Sequence, residues 1–144
     1  MNKEPLIVEK VYNVPAVKVW DALTNIEKIK KWYFQIDDFK AKVGFKFDFV
    51  GGPDDGPQYL HLCEITKVEE KKLIAYTWRY DNYPGNSEIT WQLFDNGDTT
   101  QLKLTHVGLE TFKENGKDFV KENFKSGWSY FLNDALQAYL EPTA

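Results

Sequence analysis

The chain has 144 residues, 18 basic against 22 acidic side chains and a formal net charge of −4. It carries one Cys, two His and one Met, but 10 Phe, 8 Tyr and 5 Trp. The single Cys excludes an internal disulfide, and one Cys with two His falls short of the usual four-ligand zinc site. An acidic chain whose one Arg is Arg79 does not suit a phosphate backbone, so nucleic acid is not an expected partner.

The length predicts one domain over residues 1–144, large enough to bury a core without staples. No run approaches the ~18 apolar residues of a membrane span, and Met1-Asn2-Lys3-Glu4-Pro5 has no apolar signal core behind its charge. The expectation is a soluble cytoplasmic protein with no membrane partner, no metal and no cofactor.

In chain order, Leu6–Val14 reads as a strand bounded by Pro5 and Pro15. A helix over Pro15–Thr24 puts Ala16, Val19, Trp20 and Leu23 on one stripe, with Pro15 in the first turn where its missing N–H costs nothing. Thr24-Asn25-Ile26-Glu27 has the spacing of a capping box opening a second short helix, which turns Ile26, Ile29 and either Trp32 or Tyr33 inward. Lys28, Lys30 and Lys31 read as its solvated face. Strands are predicted at Val43–Phe49, Tyr59–Val68, Leu73–Tyr80, Ser87–Phe94 and Thr100–Val107, with a loop at Gly51–Pro57. From Asp118, an expected N-cap, to Leu140, apolar residues recur at three- and four-residue steps as in a long amphipathic helix. Gly127 interrupts it beside Trp128, where a close approach is expected.

Hairpin geometry extends the reading. With Asn96-Gly97 as a two-residue loop, Trp91 opposes Leu102 and Ile89 opposes Leu104, and His106 continues their face beside Ser87. With Glu70-Lys71 as another, Ile65 opposes Tyr76, Cys63 opposes Trp78 and His61 opposes Tyr80. A one-residue slip would instead bring Leu60 and Leu62 inward; in the preferred register they lie outside, where they could support a homodimer. Only the C-terminal helix is long enough to cover the aromatic face. Curled antiparallel sheet around a long helix is the α+β solution.

This order resembles the helix-grip fold of the birch-pollen-allergen and START-like (SRPBCC) superfamily, and more narrowly the family of homologues of the activator of heat-shock 90 ATPase. The matching stretches are Val19–Asn25 with Trp32, Val43–Phe47, Cys63-Glu64-Ile65 leading to Leu73–Trp78, Leu102–His106, and Gly127-Trp128 with Leu132, Leu136 and Tyr139-Leu140. The family usually has Gly where this chain has Cys63, which implies a narrower cavity, and Pro where Glu70 stands. The resemblance implies a cavity between sheet and helix in which relatives bind hydrophobic small molecules; some relatives bind a chaperone and a few cyclise aromatic polyketides. The chaperone-activating relatives carry an additional N-terminal domain for which this chain leaves no room, which weighs against a chaperone partner.

The register gives that cavity a lining of Phe45, Phe47, Tyr59, His61, Cys63, Tyr76, Trp78, Trp91, Leu102, Leu104, His106, Phe124 and Trp128. Its polar groups would be the Tyr59 and Tyr76 hydroxyls and the His61 imidazole, on an otherwise apolar wall. The alternative is that these rings simply fill the core. His61 and Cys63 share a face, but same-face strand neighbours stand roughly 6–7 Å apart, too far for a nucleophile and its base. No catalytic residue is therefore expected, although an enzyme working by cavity shape stays open. His106 either donates to a backbone carbonyl, pinning the loop 108–117, or lines the pocket mouth. Phe112 makes that loop either a lid or a plain connection. Asp37-Asp38, Asp54-Asp55 and Glu69-Glu70 read as solvated turns.

Overall fold

The computed structural model describes residues 5–33, 36–51, 58–115, 119 and 121–141. The elements are β1 (Leu6–Tyr12), α1 (Ala16–Thr24), α2 (Ile26–Trp32), β2 (Lys46–Gly51), β3 (Tyr59–Glu69), β4 (Leu73–Tyr80), β5 (Ser87–Asp95) and β6 (Thr100–Val107). A 3₁₀ turn (Leu109–Asn115) follows, then a C-terminal helix built as α3 (Lys121–Tyr130), a π-helical turn (Phe131–Ala135) and α4 (Leu136–Leu140). The strands form one antiparallel six-stranded sheet in the order β1-β6-β5-β4-β3-β2. Its inner face packs against α1, α2 and the C-terminal helix, giving the α+β helix-grip arrangement.

Local chemistry explains where the elements begin and end. Pro15 stands at the N-cap of α1 in extended conformation, one residue outside the expected start. Thr24 and Glu27 do not form a capping box. Asn25 caps α2 by accepting from the Glu27 N–H (3.0 Å), while the Thr24 hydroxyl donates back to the Trp20 carbonyl (2.7 Å). A hydroxyl still inside the last turn of one helix reaches the preceding carbonyl more easily than the next helix's free N–H groups. Val43 is exposed rather than inward, because Gly44 turns the chain at φ +92° before Phe45 joins the ladder to Ile65.

Both hairpins depart from the two-residue loops, and both keep their faces. Asp95 pairs with Thr100, so the β5–β6 loop has four residues, and Trp91 opposes Leu104 while Ile89 opposes His106. The Asp95 carboxylate accepts from the Gly97 N–H (2.8 Å), which stabilises the wider turn. This is a shift of two residues, which preserves which side chains face inward because strands repeat every two. In β3–β4 the loop is one residue longer than expected, with Lys71 at φ +63°. A β-bulge between Ile65 and Lys67 absorbs the extra residue, so Ile65 still opposes Tyr76 and His61 still opposes Tyr80.

The C-terminal helix buries Trp128, Leu132 and Leu136. Its π turn leaves the Leu132 carbonyl able to accept from the Tyr12 hydroxyl (2.7 Å), tying β1 to the helix. Gly127 faces outward, and a Cβ there would meet nothing within 4 Å, so it serves no close approach. The expected N-cap Asp118 and residues 52–57 of the expected loop Gly51–Pro57 lie outside the described residues, while Gly51 ends β2 opposite Tyr59. Leu60 and Leu62 lie on the outer face of β3, only partly exposed.

Candidate functional site

The space between the sheet and the helices is filled with rings. Of the thirteen residues expected to line a cavity, Phe47, His61, Cys63, Tyr76, Trp78, Trp91, Leu102, Leu104, His106 and Trp128 are buried, and Phe45, Tyr59 and Phe124 are partly buried against them. They divide into two polar groupings within one aromatic interior.

The first grouping is a hydrogen-bonded relay. The Trp128 indole N–H meets His106 Nδ1 (3.1 Å), and His106 Nε2 meets the Ser87 hydroxyl (2.8 Å). The Ser87 hydroxyl in turn donates to the Trp78 carbonyl (2.8 Å). An indole N–H can only donate, so Nδ1 is the acceptor and Nε2 carries the imidazole proton. Separately, the Trp78 indole N–H donates to the Tyr80 hydroxyl (2.8 Å). His106 thus joins the C-terminal helix to β5 and β4 through side chains; it neither donates to a backbone carbonyl nor lines a mouth. Burial lowers its pKa to about 3, which keeps it neutral.

His61 is also a neutral packed ring. It stacks on Phe49 (4.6 Å between centroids, 13° between planes), and its Nδ1 lies 3.0 Å from the Tyr59 carbonyl and 3.3 Å from that of Phe49. Carbonyls accept only, so Nδ1 bears the hydrogen. Burial brings its pKa down to about 4 against those two bonds, which favour the charged form. Burial pushes the Cys63 thiol far above its ordinary range, leaving no thiolate for nucleophilic chemistry. Tyr59 packs edge-on against Tyr80, Tyr83 and Phe119.

The second grouping lies under α2. Trp91 donates its indole N–H to the Tyr76 hydroxyl (2.9 Å), and Tyr76 faces the Tyr33 hydroxyl at 3.2 Å. Beside this trio is a cavity of about 10 Å³, lined by Leu23, Ile29, Trp32, Tyr33, Ile36, Phe39, Phe47, Tyr76 and Trp91. That is room for about one water. Only Phe47, Tyr76 and Trp91 of the expected lining reach it. Trp32 and Tyr33, left as alternatives by the helical pattern, both point inward. Trp32 is anchored by its N–H to the Ala22 carbonyl (2.9 Å). Phe39 and Ile36 follow α2 without a regular period and gave no signal in the sequence, whereas Phe49 was recoverable from the alternation of β2.

Phe112 is fully buried against Gly85, Tyr80, Phe119 and Phe124, which makes the 3₁₀ turn a fastened connection. Among the described residues, no three His, Cys, Asp or Glu side chains gather where they could hold a metal ion, and no helix is long and apolar enough to cross a membrane.

Comparison with known proteins places this geometry among relatives. No curated protein matches the sequence significantly. Among solved structures, CalU16 from Micromonospora echinospora is similar at 25% identity and a TM-score of 0.72, covering 96% of this chain and 76% of its own. MLL2253 from Mesorhizobium loti is similar at 26% identity and a TM-score of 0.74, covering 98% of this chain and 99% of its own. DynU16, described as a protein of the dynemicin biosynthetic locus, shares the fold at 18% identity and a TM-score of 0.76, covering 98% of this chain and 48% of its own. Residues 13–141 match the family described as activator of Hsp90 ATPase homolog 1-like proteins, and the chain belongs to that family.

Proposed function

We propose that this protein binds a hydrophobic or aromatic small molecule between the sheet and the helices, at the cavity beneath α2. The observation that carries the reading is the convergence of the Trp91 N–H and the Tyr76 and Tyr33 hydroxyls on an otherwise aromatic and aliphatic wall beside residual space. Binding sites for small molecules have this composition, apolar with a few aimed polar groups, although open ones usually measure ~300–1,000 Å³. The site therefore admits a ligand by opening. His61, Cys63, Trp78 and His106 support the wall from behind rather than touching the ligand.

Binding without covalent chemistry is favoured over catalysis. Both imidazoles are neutral and already hydrogen-bonded, and the one thiol is held protonated. Family membership does not by itself carry chaperone activation to this chain, because function resides in a site rather than in a fold.

Titration with 2-naphthol tests the reading through tryptophan fluorescence. A saturable change is expected in the wild-type protein, and Trp91→Ala should abolish it by removing both the wall and the donor to Tyr76. No saturable change up to the solubility of the probe would overturn the proposal.

A further inference from the structure

Resting on that reading, we propose that Tyr33 is a removable plug occupying the ligand's own place, and that the site takes a hydroxylated aromatic whose hydroxyl bonds to Tyr76 as the Tyr33 hydroxyl does now. The Tyr33 ring lies among aromatic rings from four segments. Its centroid is 5.0 Å from both Trp32 and Phe131, 6.1 Å from Trp91, and 6.3 Å from both Phe49 and Trp128. Trp91 and Phe131 meet it edge-on, and Trp128 lies nearly parallel at 20°. These are the arrangements aromatic faces and edges prefer, and they would receive any flat ring of that size equally well.

The placement of Tyr33 makes it separable from the frame. It stands at the C-cap of α2 in extended conformation (φ −117°, ψ −163°), past the last helical residue. Its backbone N–H is held by the Ile29 carbonyl (2.8 Å), and a side-chain rotation leaves that bond intact. As a residue it is only partly buried. The neighbouring rings differ in this respect. Trp91 lies mid-strand and Trp128 mid-helix, each held by its own indole hydrogen bond.

The hydroxyl contact sets the class of ligand. When Tyr33 leaves, the buried Tyr76 hydroxyl keeps its donor Trp91 but loses the hydroxyl opposite. A ligand hydroxyl restores that contact and a bare hydrocarbon does not. A buried polar group left unpaired weakens binding by about tenfold or more. The wild-type affinity is further reduced by the fraction of time the plug is out, a reduction that deleting the plug removes.

The test compares 2-naphthol with naphthalene by calorimetry on the wild-type protein, Tyr33→Ala and Tyr33→Phe. Tyr33→Ala should bind 2-naphthol at least tenfold more tightly than wild type, and at least tenfold more tightly than it binds naphthalene. Tyr33→Phe keeps the ring but not the hydroxyl contact, so it should fold and fall between the two proteins. In wild type saturated with 2-naphthol, NMR contacts from the Tyr33 ring to Trp91 and Trp128 should disappear. Equal 2-naphthol affinity in wild type and both variants would overturn the plug while leaving the pocket. Equal affinity for naphthalene would overturn the hydroxyl assignment. Retained Tyr33 ring contacts at saturation, or binding by Tyr33→Ala alone, would make the ring a fixed part of the core and overturn the plug. Silence from all three proteins with both probes would fail the pocket reading itself.

Discussion

The two polar groupings of the interior use the same materials to opposite effect. At the relay, Trp128, His106, Ser87 and Trp78 come from the C-terminal helix and three different strands, and the two central members, His106 and Ser87, are bonded on both sides. Under α2, Trp91 and Tyr76 are equally well seated in adjacent strands, but the third member, Tyr33, sits at a helix end. Among the described residues no buried side-chain nitrogen or oxygen lacks a hydrogen-bond partner, so satisfaction does not separate the two ends. What separates them is how many elements must move to break each one. The relay has every member inside a strand or helix, whereas the trio has one member at a helix end.

Acid is the strongest way to break the comparison. The imidazoles belong to the relay and its flank, since His106 is a link and His61 packs against Trp78 at 4.8 Å. Their folded pKa values are lowered from 6.5 to about 3 and about 4, so the native imidazoles stay neutral where those of the unfolded chain take up protons. Their contribution is present above pH 6.5 and is lost as pH falls towards 4 and then 3, at roughly 1.4 kcal/mol per ring and pH unit. Urea unfolding between pH 7 and pH 4 should show this loss, and His106→Asn should remove about half of the slope.

Truncation comes next. Trp128→Ala deletes a large buried ring and strands His106 Nδ1, at an expected cost of about 3–5 kcal/mol by denaturant unfolding. Tyr33→Phe removes only one hydroxyl contact from the other end and should cost about 1 kcal/mol, a small fraction of the relay's loss. Equal costs would mean that the Tyr33 end is as firmly built as the relay. Gly127→Ala sharpens the comparison from outside both regions. Its Cβ meets nothing, so the change should stabilise the helix by roughly 0.5–1 kcal/mol, read as a rise in melting temperature, with 2-naphthol binding unchanged.

Much of this was legible beforehand, for one physical reason. Strand side chains alternate with period two, and the shift of the β5–β6 pairing was also two, so Trp91, Leu102, Leu104 and His106 faced inward although every partner had been displaced. In β3–β4 the longer loop and the bulge cancelled, which left His61 opposite Tyr80. The site was less legible. The helical pattern could not choose between Trp32 and Tyr33, because at a helix end both can turn in once the chain leaves the helix. The register already set His106 beside Ser87, but the other hydroxyl, indole and imidazole partners could not be read, since they join residues such as Trp128 with His106 across different elements.

The order of elements, the antiparallel sheet and the wealth of inward rings were written in the amino-acid sequence, because periodicity, proline and glycine act locally. Whether those rings leave a cavity was not. That depends on how side chains from four or more segments share one volume, and beneath α2 they leave about 10 Å³. Tertiary packing alone decided which rings meet beneath α2, where Tyr33 at the helix end lies among Phe49, Trp91, Trp128 and Phe131.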